Sequence, residues 1–508
     1  MIMKKLKSTA ILLFGVLLTI SFFSCKNEPD NGPNKQSNSI SPVSKFIYDA
    51  MSIYYYWADG MIDKKPTTKD SDPEKYFTSL LSQTDKEHGW SFIVDDVQSL
   101  MADFAGEPKD FGFSLGLMYA NEARTEYAAF VKYVYPNTPA SEKDIKRLDL
   151  IMRIDDKPIT ESNYMKLFSG EAAKFSISRW FDSKKSFEVI LTPQNITTNP
   201  VLYTDIYEID GKKIAYLFYT QFINNFNSSL YDAFAKFKRE GVTDLIIDLR
   251  YNPGGSVHSA AYLASLIVPE EDVKNKSPFT ILSYNAFLNR AFDADSKDSR
   301  IERLGAYSAP ESNPLEANLN LGKVYIIATG ESYSASELLT YCLKSYVDVV
   351  HIGGRTGGKY TISTTFHAYD DRYGVPIYEE IPTKEKAALT NWAIQPIIGI
   401  HTNSKGENFS TPGYLQPKPE HELKEGNGYI DYWKPIGDTN DVFLGKAISL
   451  ITSNEEYGPK LNELRLSKKG IIPAGAFIEI PGEAKKRAAI VDMKPAVEEI
   501  RRAMPSSR

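Results

Sequence analysis

Cysteine is almost absent: Cys25 and Cys342 are the only two in 508 residues. A disulfide framework is therefore excluded, and the His and Cys spacing offers no zinc site. Charge of one sign is lacking too, with 59 basic against 65 acidic residues, a net charge of −6 and no long basic run. Nucleic-acid binding has no support from such a balance. Internal repeats, low-complexity segments and a phosphate-cradling glycine pattern are all missing, so acyl-CoA chemistry lacks support. The apolar run Ala10 to Phe23 is short, follows Lys4, Lys5 and Lys7, and ends at Ser24-Cys25. It reads as a secretory signal rather than a mature membrane span. What the chain does have is length for two to four domains and apolar content for a substantial core.

The organising stretch is Thr329 to Lys359, TGESYSASELLTYCLKSYVDVVHIGGRTGGK. LGKVYIIATG before it reads as a buried strand that runs into Gly330. Ala335, Leu338, Leu339, Cys342, Leu343 and Tyr346 then recur at helical spacing, which puts Ser334 where strand turns into helix. Free N–H groups of a first helical turn favour negative charge nearby. A second strand, VDVVHIGG, leads into a glycine-rich turn that ends on Lys359. Serine and lysine can replace the Ser/His/Asp arrangement when burial lowers the lysine pKa to roughly 7–8. Taken alone, Ser334 would read as a helix N-cap; Lys359 and its glycine loop change that reading. Ser332 and Ser336 read as turn and cap hydroxyls, and Cys342 as a small buried hydrophobe.

An oxyanion hole is the third requirement, and DLIIDLRYNPGG (Asp244 to Gly255) can supply it. Leu245 to Leu249 is a near-continuous apolar strand. Gly254 and Gly255 permit the positive φ that turns a backbone N–H toward a reacting carbonyl, whereas Pro253 has no N–H to give. His258 begins an apolar helix without an obvious acidic partner in sequence, and reads as structural.

These motifs resemble the C-terminal processing, or tail-specific, proteases, Ser/Lys peptidases on a fold related to Clp protease and crotonase. The family's S-A-S-A-S-E signature is matched by Ser332-Tyr333-Ser334-Ala335-Ser336-Glu337, and its D-L-R-x-N-x-G-G by Asp248 to Gly255. The resemblance implies Ser334 as nucleophile and Lys359 as general base, with the N–H groups of Ala335 and of Gly254 or Gly255 holding the oxyanion. One departure is Ser363, which stands where family members often carry a glutamine that orients the lysine.

The rest of the chain reads in order as a lipoprotein signal peptide (1–25), a flexible tether (26–41), a helical N-terminal subdomain (42–105), a PDZ-like domain (106–196), the Ser/Lys peptidase domain (197–455) and a C-terminal extension (456–508). Phe22-Phe23-Ser24-Cys25 resembles a lipobox, which makes Cys25 the lipid attachment site. The aromatic-rich pattern Ser44 to Met61 reads as core between small helices. Pro139-Ala140, Leu148 to Ile151 and Ile154 to Pro158 resemble a PDZ domain, with Leu148 and Asp156 in place of two glycines of its pattern. A PDZ groove adds an extended peptide as a strand and holds its terminal carboxylate on backbone N–H groups; here that loop falls at Phe111, Gly112, Phe113 and Ser114. The tail carries a candidate strand at Phe477 to Ile480 and a candidate helix at Ala496 to Met504.

The fold class expected is thus α/β multidomain. The function expected is a serine endopeptidase that cleaves proteins near their C-termini through an acyl-enzyme, anchored by lipid in the outer membrane of a Gram-negative cell envelope. Its partners are protein or peptide substrates and a membrane, with no nucleic acid, metal or cofactor. A peptide-binding protein that keeps the fold without turnover is the alternative.

Overall fold

The computed structural model describes residues 39–179, 182–296, 298–425, 432–458, 477–478 and 489–490. Cys25, the signal and most of the tether, and the candidate helix at Ala496 to Met504, lie outside them.

Apolar runs without polar alternation suit strands that are covered on both faces, and the central sheet is built from such runs. Its order is Val201–Ile209, Lys212–Tyr219, Asp244–Asp248, Lys323–Ala328 and Asp348–Gly353. The first two strands pair antiparallel and all other neighbours parallel. Side chains sort by the two-residue period. Ala215, Leu217, Leu245, Ile247, Val324 and Ile326 pack in one core with the helices Asn227–Arg239, Val257–Ser265 and Ala335–Cys342. Ile214, Tyr216, Phe218, Ile246, Tyr325 and Ile327 pack on the other side with the helix Val442–Thr452.

A second, mostly antiparallel sheet includes the strand that follows Lys359. Its order is Gly255–Ser256, Ala489–Ile490, Thr361–Ser363, Ile397–Thr402, Pro278–Tyr284 and Ile301–Arg303. A smaller β-unit has its own core of Leu115, Leu117, Ile151, Ile154 and Phe175. It is built on Phe113–Tyr119, Tyr127–Val134, Asp149–Ile154, Ala173–Arg179 and Asp182–Leu191, with Phe477–Ile478 paired to the outer edge of Phe113–Tyr119. Leu148 and Asp156, which replace glycines, nevertheless adopt glycine-like backbone, with φ of 75° and 63°. The turns are kept despite the substitutions. The stretch Tyr164–Leu167 forms a 3-10 turn.

The N-terminal helices Pro42–Tyr54, Pro73–Leu80 and Gln83–His88 bring Phe46, Ile47, Met51 and Tyr55 into the same core as the helices Val257–Ser265 and Ala335–Cys342. The strand Phe92–Val94 continues the attachment by pairing with Ala393–Gln395.

A buried charge network joins these parts. Arg250, with no exposed surface, donates to Asp248 at 3.0 and 2.8 Å, to Glu425 at 3.0 Å and to both oxygens of Asp441, the N-cap of helix Val442–Thr452, at 3.0 and 2.7 Å. Arg147 of the β-unit donates to the same Glu425 oxygen at 2.6 Å and to the Tyr251 hydroxyl at 2.8 Å.

Candidate active site

Ser334 stands at the N-cap of the helix Ala335–Cys342 with φ 60° and ψ −109°. A residue with a Cβ held at positive φ stores strain of order 1–3 kcal/mol, and such residues cluster at functional sites. Three serines lie within five positions here, and their hydroxyls differ. Ser332 Oγ donates to the Leu249 carbonyl at 2.7 Å and Ser336 Oγ to the Asn252 carbonyl at 2.9 Å. Both thereby fasten this loop to the Asp248–Gly255 segment. Ser334 Oγ is buried and has no hydrogen-bond partner among the described residues.

The Ser334 loop and the glycine loop meet at Glu337. Its Oε2 accepts the N–H of Ser334 and the N–H of Lys359, each at 2.8 Å. Its Oε1 accepts the Gly358 N–H at 2.8 Å and the Thr356 hydroxyl at 2.5 Å. Burial raises the Glu337 carboxyl pKa, and the four donors pull against that rise. The backbone nitrogens of Ser334 and Lys359 are therefore within two hydrogen-bond lengths of each other, although 25 positions separate them. Lys359 itself is fully buried.

Gly255 has φ 134°, and a Cβ there would sit 2.1 Å from the Phe222 carbonyl oxygen, so the position admits no side chain. Gly254 N–H donates to the Asn252 carboxamide at 2.9 Å. Gly254 N–H is thus held within its own turn, whereas Gly255 is held by strand pairing with Ala489, which keeps Gly255 and Ala335 as the candidate oxyanion donors.

Glu337 is the residue that sequence reasoning named without assigning a task. The S-x-x-E spacing from Ser334 is a capping-box signal that pointed to it. Gln395 was missed: its Nε2 donates to Ser363 Oγ at 3.0 Å, while its Oε1 accepts from Thr365 Oγ1 at 3.2 Å. A carboxamide thus reaches position 363 from another strand. His258 finds its acidic partner in Glu302 at 2.8 Å. His401 packs beside the base segment, where burial drives its pKa down to about 3. No group of three His, Cys, Asp or Glu side chains among the described residues is placed to hold a metal.

On the β-unit, Gly112 N–H donates to Asp110 at 2.6 Å and Phe111 is buried. Gly112 is accordingly not a free donor for a terminal carboxylate. Phe113 and Ser114 line a cleft of about 380 Å³ together with Lys132, Tyr251, Pro253 and Glu331. This cleft runs between the β-unit and the loops that carry the glycines and the nucleophile. Lys132 pairs with Glu331 across it.

Residues 213–400 match the model of peptidase family S41, and residues 43–92 match the peptidase S41 N-terminal domain. The match to peptidase family S41 thus covers the central catalytic-region strands and the N-terminal helices. Among S41 relatives, a "Probable CtpA-like serine protease" of Staphylococcus aureus is 20% identical over 367 residues, 70% of this chain and 63% of the relative. A "Carboxyl-terminal-processing protease" of Picosynechococcus is 23% identical over 261 residues, 48% of this chain and 56% of that one. The chain thus spans under two thirds of the length of these curated relatives. The crystal structure of an S41-family protein from Bacteroides fragilis covers 84% of this chain and 99% of its own at a TM-score of 0.61 and 23% identity. That likeness establishes the S41 fold, α/β with an N-terminal helical part.

Proposed function

We propose that the protein is a serine endopeptidase that cleaves polypeptides near their C-termini. The observation that carries this reading is the shared Glu337 carboxylate, which holds the backbones of Ser334 and Lys359 side by side. Ser334 Oγ attacks the scissile carbonyl and its proton passes to the Lys359 amine. The N–H groups of Ala335 and Gly255 stabilise the negative oxygen that forms. Lys359 then returns the proton to the leaving amine, and an acyl-enzyme remains. Water, deprotonated in turn by Lys359, hydrolyses the ester and regenerates the serine. Preorganised donors of this kind are worth about 10²–10³ in kcat each.

The β-unit serves in this reading as a PDZ-like reader of extended segments, through the outer edge of Phe113–Tyr119, on which Phe477–Ile478 now pairs, and the cleft beside it. Cys25 carries the lipid anchor, which places the enzyme in the cell envelope of a Gram-negative bacterium at the outer membrane.

Ser334→Ala and Lys359→Ala are each expected to abolish fragment production from an unfolded protein while leaving the circular dichroism spectrum and thermal midpoint near wild type. Mass spectrometry of the reaction reads this directly. A wild-type chain that holds unfolded polypeptide but never releases fragments would instead mark a peptide-binding protein, the reading that Ser363 in place of glutamine motivates.

A further inference from the structure

Two strands of the C-terminal extension are paired, and both lie on edges where a peptide would be expected to add. Phe477 is opposite Met118 and Ile478 opposite Leu117 in antiparallel register, on the outer edge of Phe113–Tyr119. That direction runs the segment toward Phe113 and Ser114. Eleven positions further on, Ala489 and Ile490 pair in parallel with Gly255 and Ser256, and Ile490 also pairs with Ser363. The second strand therefore bridges the segment that carries the oxyanion glycine and the segment that follows Lys359. Without it, Gly255–Ser256 and Thr361–Ser363 have no strand between them.

Adding a strand to an open sheet edge is how extended peptides are recognised: main-chain hydrogen bonds supply affinity whatever the sequence. A substrate backbone that presents its carbonyl to Ser334 needs the edges next to Gly255 and Lys359. In the intact chain those edges are paired, and Ser334 and Lys359 have no solvent exposure. We infer that the chain's own C-terminal segment is the resident peptide ligand of this site: residues 477–478 occupy the edge of the β-unit and residues 489–490 the catalytic edge, so the intact chain excludes other polypeptides until the tail leaves. The inference rests on the peptidase reading for its consequence on rate, and on strand pairing alone for the occupancy.

Proline lacks the N–H of a ladder and is excluded from paired central strands. In the full chain, Ala489→Pro with Ile490→Pro should release the catalytic edge, and Phe477→Pro with Ile478→Pro the edge of the β-unit. Hydrogen exchange is read on backgrounds with and without Ser334→Ala. The first pair is expected to raise exchange at Gly255 and Ser363 at least tenfold, and the second to do so at 117–118. With Ser334 intact, the 489/490 variant is expected to degrade an unfolded protein at least tenfold faster than the unaltered chain. Unchanged protection at Gly255 and Ser363 would overturn the inference, whether or not the wild-type chain cleaves. Lost protection with equal, measurable turnover in variant and wild type would overturn it as well. Lost protection with no fragments from any variant would leave the occupancy standing and remove the peptidase reading instead.

Discussion

At the scale of single residues, Glu337 decides whether the two side chains proposed to react, those of Ser334 and Lys359, share a site. A carboxylate accepts on both oxygens, and this one takes four donors from two loops. Glu337→Gln keeps the shape but turns one acceptor into an NH₂ that faces donors. Each buried donor left unpaired costs about 1–3 kcal/mol, so a loss of about 2–5 kcal/mol is expected. Fragment release should fall at least ~100-fold, because small misplacements of reacting groups cost that much. Chemical denaturation and initial rates measure the two effects; full activity with a lowered midpoint would mean that Glu337 is only structural. The proposed site is one whose residues could be picked out in sequence where they lie in local motifs. Ser334, Gly255 and Lys359 are of this kind. Gln395 and Lys132 were not, because they reach Ser363 and Glu331 from strands far along the chain and no local pattern announces such a contact.

At the scale of elements, the parallel sheet could be read because strands buried on both faces are apolar throughout, as Leu245 to Leu249 is. The helix after Ser334 could be read from its 3.6-residue period, and the strand at Phe477 from its apolar cluster. The second sheet gave no reading. Thr361–Ser363 in that sheet, and Ala393–Gln395 in the separate sheet with Phe92–Val94, are three residues each, too short for a period to emerge, and partners such as Ile397–Thr402 and Phe92–Val94 define them. Leu148 and Asp156 teach the complementary point, since their left-handed backbone is imposed by the sheet around them and not by residue type. Between elements, the Lys132–Glu331 pair ties the strand Tyr127–Val134 to the loop before Ser334. Lys132 also walls the cleft. Lys132→Ala is expected to raise KM several-fold for a long unfolded substrate while kcat stays within about twofold, the signature of lost uniform binding. Equal losses in kcat and kcat/KM would place Lys132 in the chemistry instead.

At the scale of the molecule, the β-unit, the central sheet and the closing helix meet on one buried cluster: Arg147, Arg250, Asp248, Glu425 and Asp441. Removing one member of such a buried cluster typically costs about 3–5 kcal/mol, because the remaining charges lose their partner. Burial by itself would raise the Glu425 carboxyl, but Arg147 and Arg250 outweigh it and hold the pKa below the ordinary value. The sign of the pH effect follows. A carboxyl whose folded pKa is depressed contributes stability that is complete above its unfolded pKa, about 4.3, and that contribution is lost as pH falls through the folded value. Glu425→Gln removes the titrating group but keeps its size. Wild type should therefore be the more stable protein at neutral pH, and the gap between the two urea midpoints should narrow as pH is lowered below about 4.3. Intrinsic fluorescence can follow the transition, since Trp433 is buried against Phe130 in the adjoining layer, with ring centroids 5.6 Å apart. A gap that stays constant across that acid range would show that Glu425 does not depend on its two arginines, and that the β-unit is held to the catalytic sheet by packing alone.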